Sequence, residues 1–276
     1  MSHILAFVFP QWQGSGHDKA LYYGAQAAKK HLSLPCVKEI DVSLDDDLPV
    51  KNGIIGYDVI LRQQKSAADA LSDSRCRKIL TIGGDCSVEI APVSYLNELH
   101  GGDLAVVWFD AHGDLNTPSS SPSQKFHGMP LRCLLGDGDR QMVSLCASLL
   151  QTDQVVMAGL REPDEPETAF IEKNNIPCVS VKDTNTGERL INVLEAKRYK
   201  HVYIHIDLDV LDPACFPAVM CPTAGGLTVD SLINAIEGLK CRYEIAGISL
   251  VEYVHVESVC EAELYRLLKA SEAALL

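Results

Sequence analysis

Short apolar runs alternate with longer amphipathic stretches along the whole chain. Runs rich in Val, Ile and Leu near 4–9, 37–42, 78–82, 104–110, 154–160, 178–181, 201–209 and 244–251 predict strands. Several, such as LAVVWF at 104–109, are apolar at every position rather than at alternate ones, which suits strands covered on both faces. Helix-period stretches lie near 17–33, 56–74, 87–99, 139–150, 165–174, 187–199, 228–239 and 257–275. Strand–helix alternation over the full length predicts an α/β fold, a parallel sheet with helices on both faces. No repeat, low-complexity tract or linker interrupts it.

Residues 113–127 form one long Ser- and Pro-rich stretch, and a loop of that length inside a compact domain is usually functional. The acidic run Asp45-Asp46-Asp47 reads as a solvated loop. Lys and Arg number 24 against 37 Asp and Glu, a net charge of −13. Such a surface repels phosphate backbones and anionic bilayers, so neither nucleic acid nor membrane is expected as a partner. Hydrophobic residues make up 47% of the chain, enough to fill a core, and no apolar run approaches the roughly 18 residues of a membrane span. The N-terminal MSHILAFVFPQ lacks the basic n-region and long apolar core of a signal peptide. Ten cysteines occur with no C-x-x-C pair, scattered through apolar stretches as at Cys133, Cys146, Cys178 and Cys241. This usage predicts reduced, mostly buried thiols and a cytoplasmic protein.

In an open parallel sheet, ligands bind beyond the carboxyl ends of the strands. After 78–82 comes Gly83-Gly84-Asp85-Cys86-Ser87. After 104–109 comes Asp110-Ala111-His112-Gly113-Asp114. The run 201–209 ends in Asp207 and Asp209, with Asp212-Pro213 beyond, and Glu252 follows 244–251. Alternate residues in an extended strand face the same side, so Asp207 and Asp209 point together, as do Asp110, His112 and Asp114. Converging carboxylates repel and cannot all stay ionised unaided. A cation resolves this, and oxygen-rich ligation with one or two imidazoles suits Mn²⁺ or a similar divalent ion, two of which can share bridging carboxylates. Alone, a D-x-D at a strand end can as well cap a helix or close a turn; the joint appearance of the blocks points to metal.

The blocks GGDCS (83–87), DAHGDLNTP (110–118), HG (127–128), IDLDVLDPACFP (206–217) and AGGLT (224–228) resemble the signature motifs of the ureohydrolases, the arginase and agmatinase family, and DLNTP is similar to the arginase branch. The resemblance implies a hydrolase of linear amidines with a three-layer α/β/α fold, a mainly parallel eight-stranded sheet and a binuclear manganese site, in one catalytic domain over 1–276. It implies Cys86, Asp110, Asp114 and Asp207 at a first Mn²⁺ and His112, Asp110, Asp207 and Asp209 at a second. Asp212 would orient the loop after its strand or merely form the turn before Pro213. Two cations lower the pKa of a bridging water, so that hydroxide can attack the guanidinium carbon near neutral pH. His127 matches the family's proton-handling loop histidine, and Glu252 the carboxylate that accepts paired guanidinium N–H groups. The resemblance allows a homo-oligomer, which the sequence does not fix.

Two departures matter. The family motif has histidine where this chain has Cys86. The thiolate can serve as a ligand, shifting that position toward Zn²⁺ or Fe²⁺. Otherwise the first metal is lost, or Cys86 only packs. A cysteine here also resembles the relatives of D-cycloserine biosynthesis that cleave Nω-hydroxy-L-arginine to hydroxyurea and L-ornithine, which implies that guanidine as the substrate and an antibiotic-biosynthetic role. Arginase, agmatinase-like or other guanidino- or formimidoyl-hydrolase activity stays open, as does a degraded, non-enzymatic site; the paired Asp blocks argue against a zinc deacetylase. The second departure is the run Ser121–His127, where the family's Ser-Gly-Asn is not intact. Asn116 and Ser123 match positions that bind the substrate's head group, and Asp164, with Glu162 beside it, falls where the family places an amino-group contact.

Overall fold

The computed structural model describes residues 4–16, 18–181 and 185–276. Residues 1–3 of the N-terminal stretch and His17, the first residue of the first predicted helix, lie outside the described residues. Eight strands form one sheet: β1 (Ile4–Phe9), β2 (Val37–Glu39), β3 (Lys78–Gly83), β4 (Leu104–Phe109), β5 (Val155–Ala158), β6 (Cys178–Val179), β7 (His201–Ile206) and β8 (Glu244–Leu250). Their order is β2-β1-β3-β8-β7-β4-β5-β6, and every pairing is parallel.

Alternation within fully apolar strands feeds two cores. Ala105, Val107 and Phe109 of β4 enter the core shared with α7 (Thr186–Lys197), α8 (Val229–Lys240) and α9 (Glu261–Leu275). Leu104, Val106 and Trp108 enter the opposite core, with α2 (Tyr57–Ser74), α3 (Ile90–Leu99) and α6 (Glu165–Asn174). The result is the expected three-layer α/β/α arrangement.

The structure corrects three expectations and adds one element. Residues 139–150 are helical only over Arg140–Val143. Downstream the Leu150 N–H donates to the Leu134 carbonyl, 2.8 Å, and the Asn97 amide donates to Ser148 Oγ and the Leu149 carbonyl, which hold the chain off the helix. Strands do not run on through Asp110 or Asp209: β4 stops at Phe109 and β7 at Ile206, with a 3₁₀ turn at Leu208–Val210. The thiols are not mostly buried, since Cys76, Cys86 and Cys133 are buried while Cys36, Cys178, Cys221 and Cys241 are exposed; all ten are free. Finally, a hairpin of Val50–Lys51 and Ile54–Ile55 turns at Asn52-Gly53, both with positive φ (53° and 74°), the pair that a tight primed turn favours. It props the long loop, through the Ile55 N–H to the Gln124 carbonyl, 3.0 Å. Among the described residues no helix is long and apolar enough to cross a membrane.

Candidate metal centre and active site

The central strands β3, β8, β7 and β4 are neighbours, and their carboxyl ends stand level. The β4–β7 register pairs Phe109 with Ile206, so Asp110 and Asp207 leave the sheet side by side; the Asp207 N–H donates to the Phe109 carbonyl, 2.9 Å. Convergence beyond that point is made by turns. The Asp209 N–H donates to Asp207 Oδ1, 2.8 Å, and the Ala111 N–H to Asp209 Oδ1, 3.0 Å, pinning the two Asp blocks to each other. Asp114 sits at φ 54° and Glu252 at φ 62°, left-handed conformations costly for these residues and often kept where side chains must be aimed.

Among the described residues the ligand-type atoms fall into three overlapping groups, each within 4.8 Å: Cys86, Asp110, Asp114 and His205; Cys86, Asp207 and Glu252; Asp110, His112 and Asp209. His112 Nδ1 lies 2.8 Å from Asp209 Oδ2 and 3.5 Å from Asp110 Oδ1. The Cys86 thiol donates to Asp207 Oδ2, 3.1 Å, and His127 Nδ1 lies 3.1 Å from Glu252 Oε1. All but His112 and His127 are buried.

Burial and mutual repulsion set the protonation. Burial, then the charge of Asp110, pushes the Asp114 carboxyl up; burial and Asp209 do the same for Asp207. Asp209 is pushed up to about 6 by burial and Asp110. Burial, then Asp207, raises the Cys86 thiol. Burial disfavours the charged form of His112, but hydrogen bonds to Asp110 and Asp209 outweigh it and hold its pKa above the ordinary imidazole value. His127 is likewise raised, with Glu252 overcoming burial. Buried Asp114 Oδ2, Glu252 Oε2 and His205 Nε2 have no hydrogen-bond partner. Acids that resist ionisation, beside buried oxygens and an imidazole nitrogen left without partners, are what a cation-binding cluster looks like in its protein-only form. The oxygen-rich set, with imidazole and one thiol, fits divalent ions.

A cavity of about 210 Å³ opens onto the cluster, lined among others by His112, Asp114, Asn116, His127, Glu162, Asp164, Glu167, Asp207, Asp209 and Glu252. Asp164 caps α6, accepting from the Glu167 N–H, and also accepts from the Asn116 amide, 2.7 Å. Ser123 is exposed, its hydroxyl near Ser121 Oγ and the Lys125 N–H, and is not among the cavity-lining residues. Asp212 accepts from the Ala214, Gly225 and Gly226 N–H groups, tying the β7 loop to the glycine pair.

Sequence reasoning passed over several neighbours. Arg161 donates to four carbonyls, those of Gly159, Asp209, Thr223 and Ala224, clamping the loops around the cavity. Buried Glu167 accepts from the Leu115 N–H, 3.1 Å, fixing the segment after Asp114. His205 stacks on Trp108, centroids 3.6 Å apart. Only His205 left a signal, an imidazole inside an apolar strand, which needs a partner.

This parallel sheet, with acids and imidazoles gathered at its carboxyl rim, is the architecture of the arginase-fold hydrolases. The sequence profile of the arginase family matches residues 19–255. An arginase of Staphylococcus aureus (strain MRSA252) is 32% identical over 240 residues, covering 79% of each chain. The crystal structure of Bacillus caldovelox arginase superposes with a TM-score of 0.83 at 27% identity, covering 98% of both chains. That of Entamoeba histolytica arginase with L-ornithine gives 0.86 at 21% identity, covering 99% of this chain and 98% of that one. The chain belongs to the arginase family, enzymes that hydrolyse linear amidines and guanidines at a binuclear metal centre.

Proposed function

We propose that the enzyme hydrolyses Nω-hydroxy-L-arginine to hydroxyurea and L-ornithine, with two Mn²⁺ ions, or with Zn²⁺ or Fe²⁺ at the Cys86 position. The observation that carries this is Cys86 itself, a buried thiol 3.1 Å from Asp207 where the family motif has histidine. Cys86, Asp110, Asp114 and Asp207 would hold one ion, and Asp110, His112, Asp207 and Asp209 the other. When bound, such a pair supplies an activated water at neutral pH.

The chain's own residues do the rest. The free Oε2 of Glu252 is placed to accept guanidinium N–H groups in a fork. His127, held by Glu252 and charged more readily than an ordinary histidine, is placed to deliver a proton to the departing amine. At the mouth, Asn116, Glu162 and Asp164 face an amino-acid head group, and the acidic rim favours a cation. A hydroxylated guanidine is less basic than arginine and offers an N–OH oxygen to the altered first site. The free thiols support a reducing compartment, the cytoplasm. Assaying both guanidines side by side with Mn²⁺, for the natural enzyme and Cys86→His, tests this. Cys86→His is expected to raise the arginine-to-hydroxyarginine activity ratio; an unchanged ratio removes Cys86 as the specificity element.

A further inference from the structure

His205 has no place in the scheme above, yet it is fully buried near the carboxyl end of β7, in the sheet position next to Trp108. Its ring lies flat on the Trp108 ring, centroids 3.6 Å apart at 22°. Nδ1 faces Glu89 Oε1 and Ser249 Oγ, both at 3.4 Å. Nε2 has no hydrogen-bond partner and faces Asp110 Oδ2 at 3.8 Å. Glu89 is fully buried as well.

Burying an imidazole and a carboxylate under a sheet is costly unless each has a task, and an aliphatic pair of similar volume would serve packing as well or better. The direction of Nε2 supplies the task. It opens into the group that also holds Cys86, Asp110 and Asp114, with all four ligand atoms within 4.8 Å. The 3.8 Å separation from Asp110 Oδ2 is too long for a hydrogen bond. It suits two atoms sharing one ion, since ligands each about 2.1 Å from a cation lie roughly 3–4.2 Å apart. On the other side of the ring, a carboxylate facing Nδ1 is how metal-binding histidines are commonly oriented and made more basic.

We infer that His205, oriented by Glu89, is an imidazole ligand of the first metal position, delivered from β7 to the site whose histidine is replaced by Cys86. The inference rests on the metal-dependent reading above. It makes Cys86 a companion ligand or a neighbour rather than the sole substitute for the missing histidine. Glu89 is a positioning residue that acts through His205.

The test is a metal count and a ligand count, independent of turnover. Chelator-stripped protein is titrated with Zn²⁺ and with Mn²⁺, bound metal is counted after gel filtration, and zinc-edge X-ray absorption reports imidazoles per metal. The natural protein is expected to hold two ions with two imidazoles between them, His112 and His205. In His205→Asn the first-site ion is expected to be lost or weakened beyond the roughly 10–100-fold that outer partners carry, while the second site persists. Glu89→Gln is expected to weaken the same site within that range and to leave the imidazole count at two. Two ions with one imidazole in the natural protein overturns the inference and leaves the hydrolase reading standing, a result that does not depend on whether any variant folds. Two tightly held ions in His205→Asn does the same. Less than one ion per chain in the natural protein overturns both.

Discussion

Removing the metal should make the protein's stability depend on pH in a direction opposite to ordinary acid denaturation. Asp209, buried beside Asp110, has its carboxyl pushed from 3.8 up to about 6. A group raised on folding lends stability that is full below its unfolded value and lost as pH climbs through the folded one. Between pH 5 and 7, Asp209 alone therefore withdraws about 1 kcal/mol from the metal-free protein. At about 2 cal/mol/K per residue, a chain of 276 residues melts roughly 2 °C lower for that loss. Asp114 and Asp207, also raised by burial and by their acidic neighbours, add in the same direction. With cations bound, these carboxylates are ionised throughout the range and the loss disappears. The assay is melting of chelator-stripped and Mn²⁺-saturated protein at pH 5, 6 and 7. The gap between the two melting temperatures should widen by several degrees as pH rises. A gap that stays constant or narrows would refute the reasoning, because the acids would then not be the groups that the cations relieve.

Other outcomes follow from single contacts. Adding Mn²⁺ to stripped protein at neutral pH in weak buffer should release more than one proton per chain, read by pH-stat, because Asp114, Asp207 and His112 all hold protons more strongly than usual. Arg161→Lys cannot keep four carbonyl contacts; kcat/KM should fall about 10–100-fold, matching the loss of one or two charge-assisted hydrogen bonds, with the fold intact by circular dichroism. Glu252→Gln should raise KM for the guanidine about 10-fold or more, and His127→Asn should lower kcat about 10²–10⁴-fold, both by steady-state kinetics. Gly84→Ala would set a methyl 1.9 Å from the Gln11 carbonyl oxygen, so denaturant melts should show a loss of about 3 kcal/mol or more, or no soluble protein.

The sheet was legible because strands buried on both faces are uninterrupted apolar runs, and the chemistry was legible because it follows those runs directly: GGDCS after β3, DAHGD after β4, the Asp pair after β7. The rule used to aim the side chains did not hold. Asp207 and Asp209 converge through a 3₁₀ turn and a hydrogen bond to Ala111, a contact between loops 98 residues apart that alternation along one strand cannot express. The same reason hides Arg161 and Glu167, whose partners belong to other segments. The helix expected at 139–150 failed because its amphipathic pattern is overridden by contacts to Leu134 and Asn97. The 50–55 hairpin was readable only from Asn52-Gly53, because its two-residue strands are too short to stand out as apolar runs.

The most direct measurement of the carboxylate cluster as a metal centre is an anomalous difference map at the manganese edge, from crystals grown with Mn²⁺. Two peaks about 3.5–4 Å apart are expected, both touching Asp110 and Asp207, one flanked by Asp114 and the other by His112 and Asp209. No peak between these side chains at saturating Mn²⁺ would contradict it.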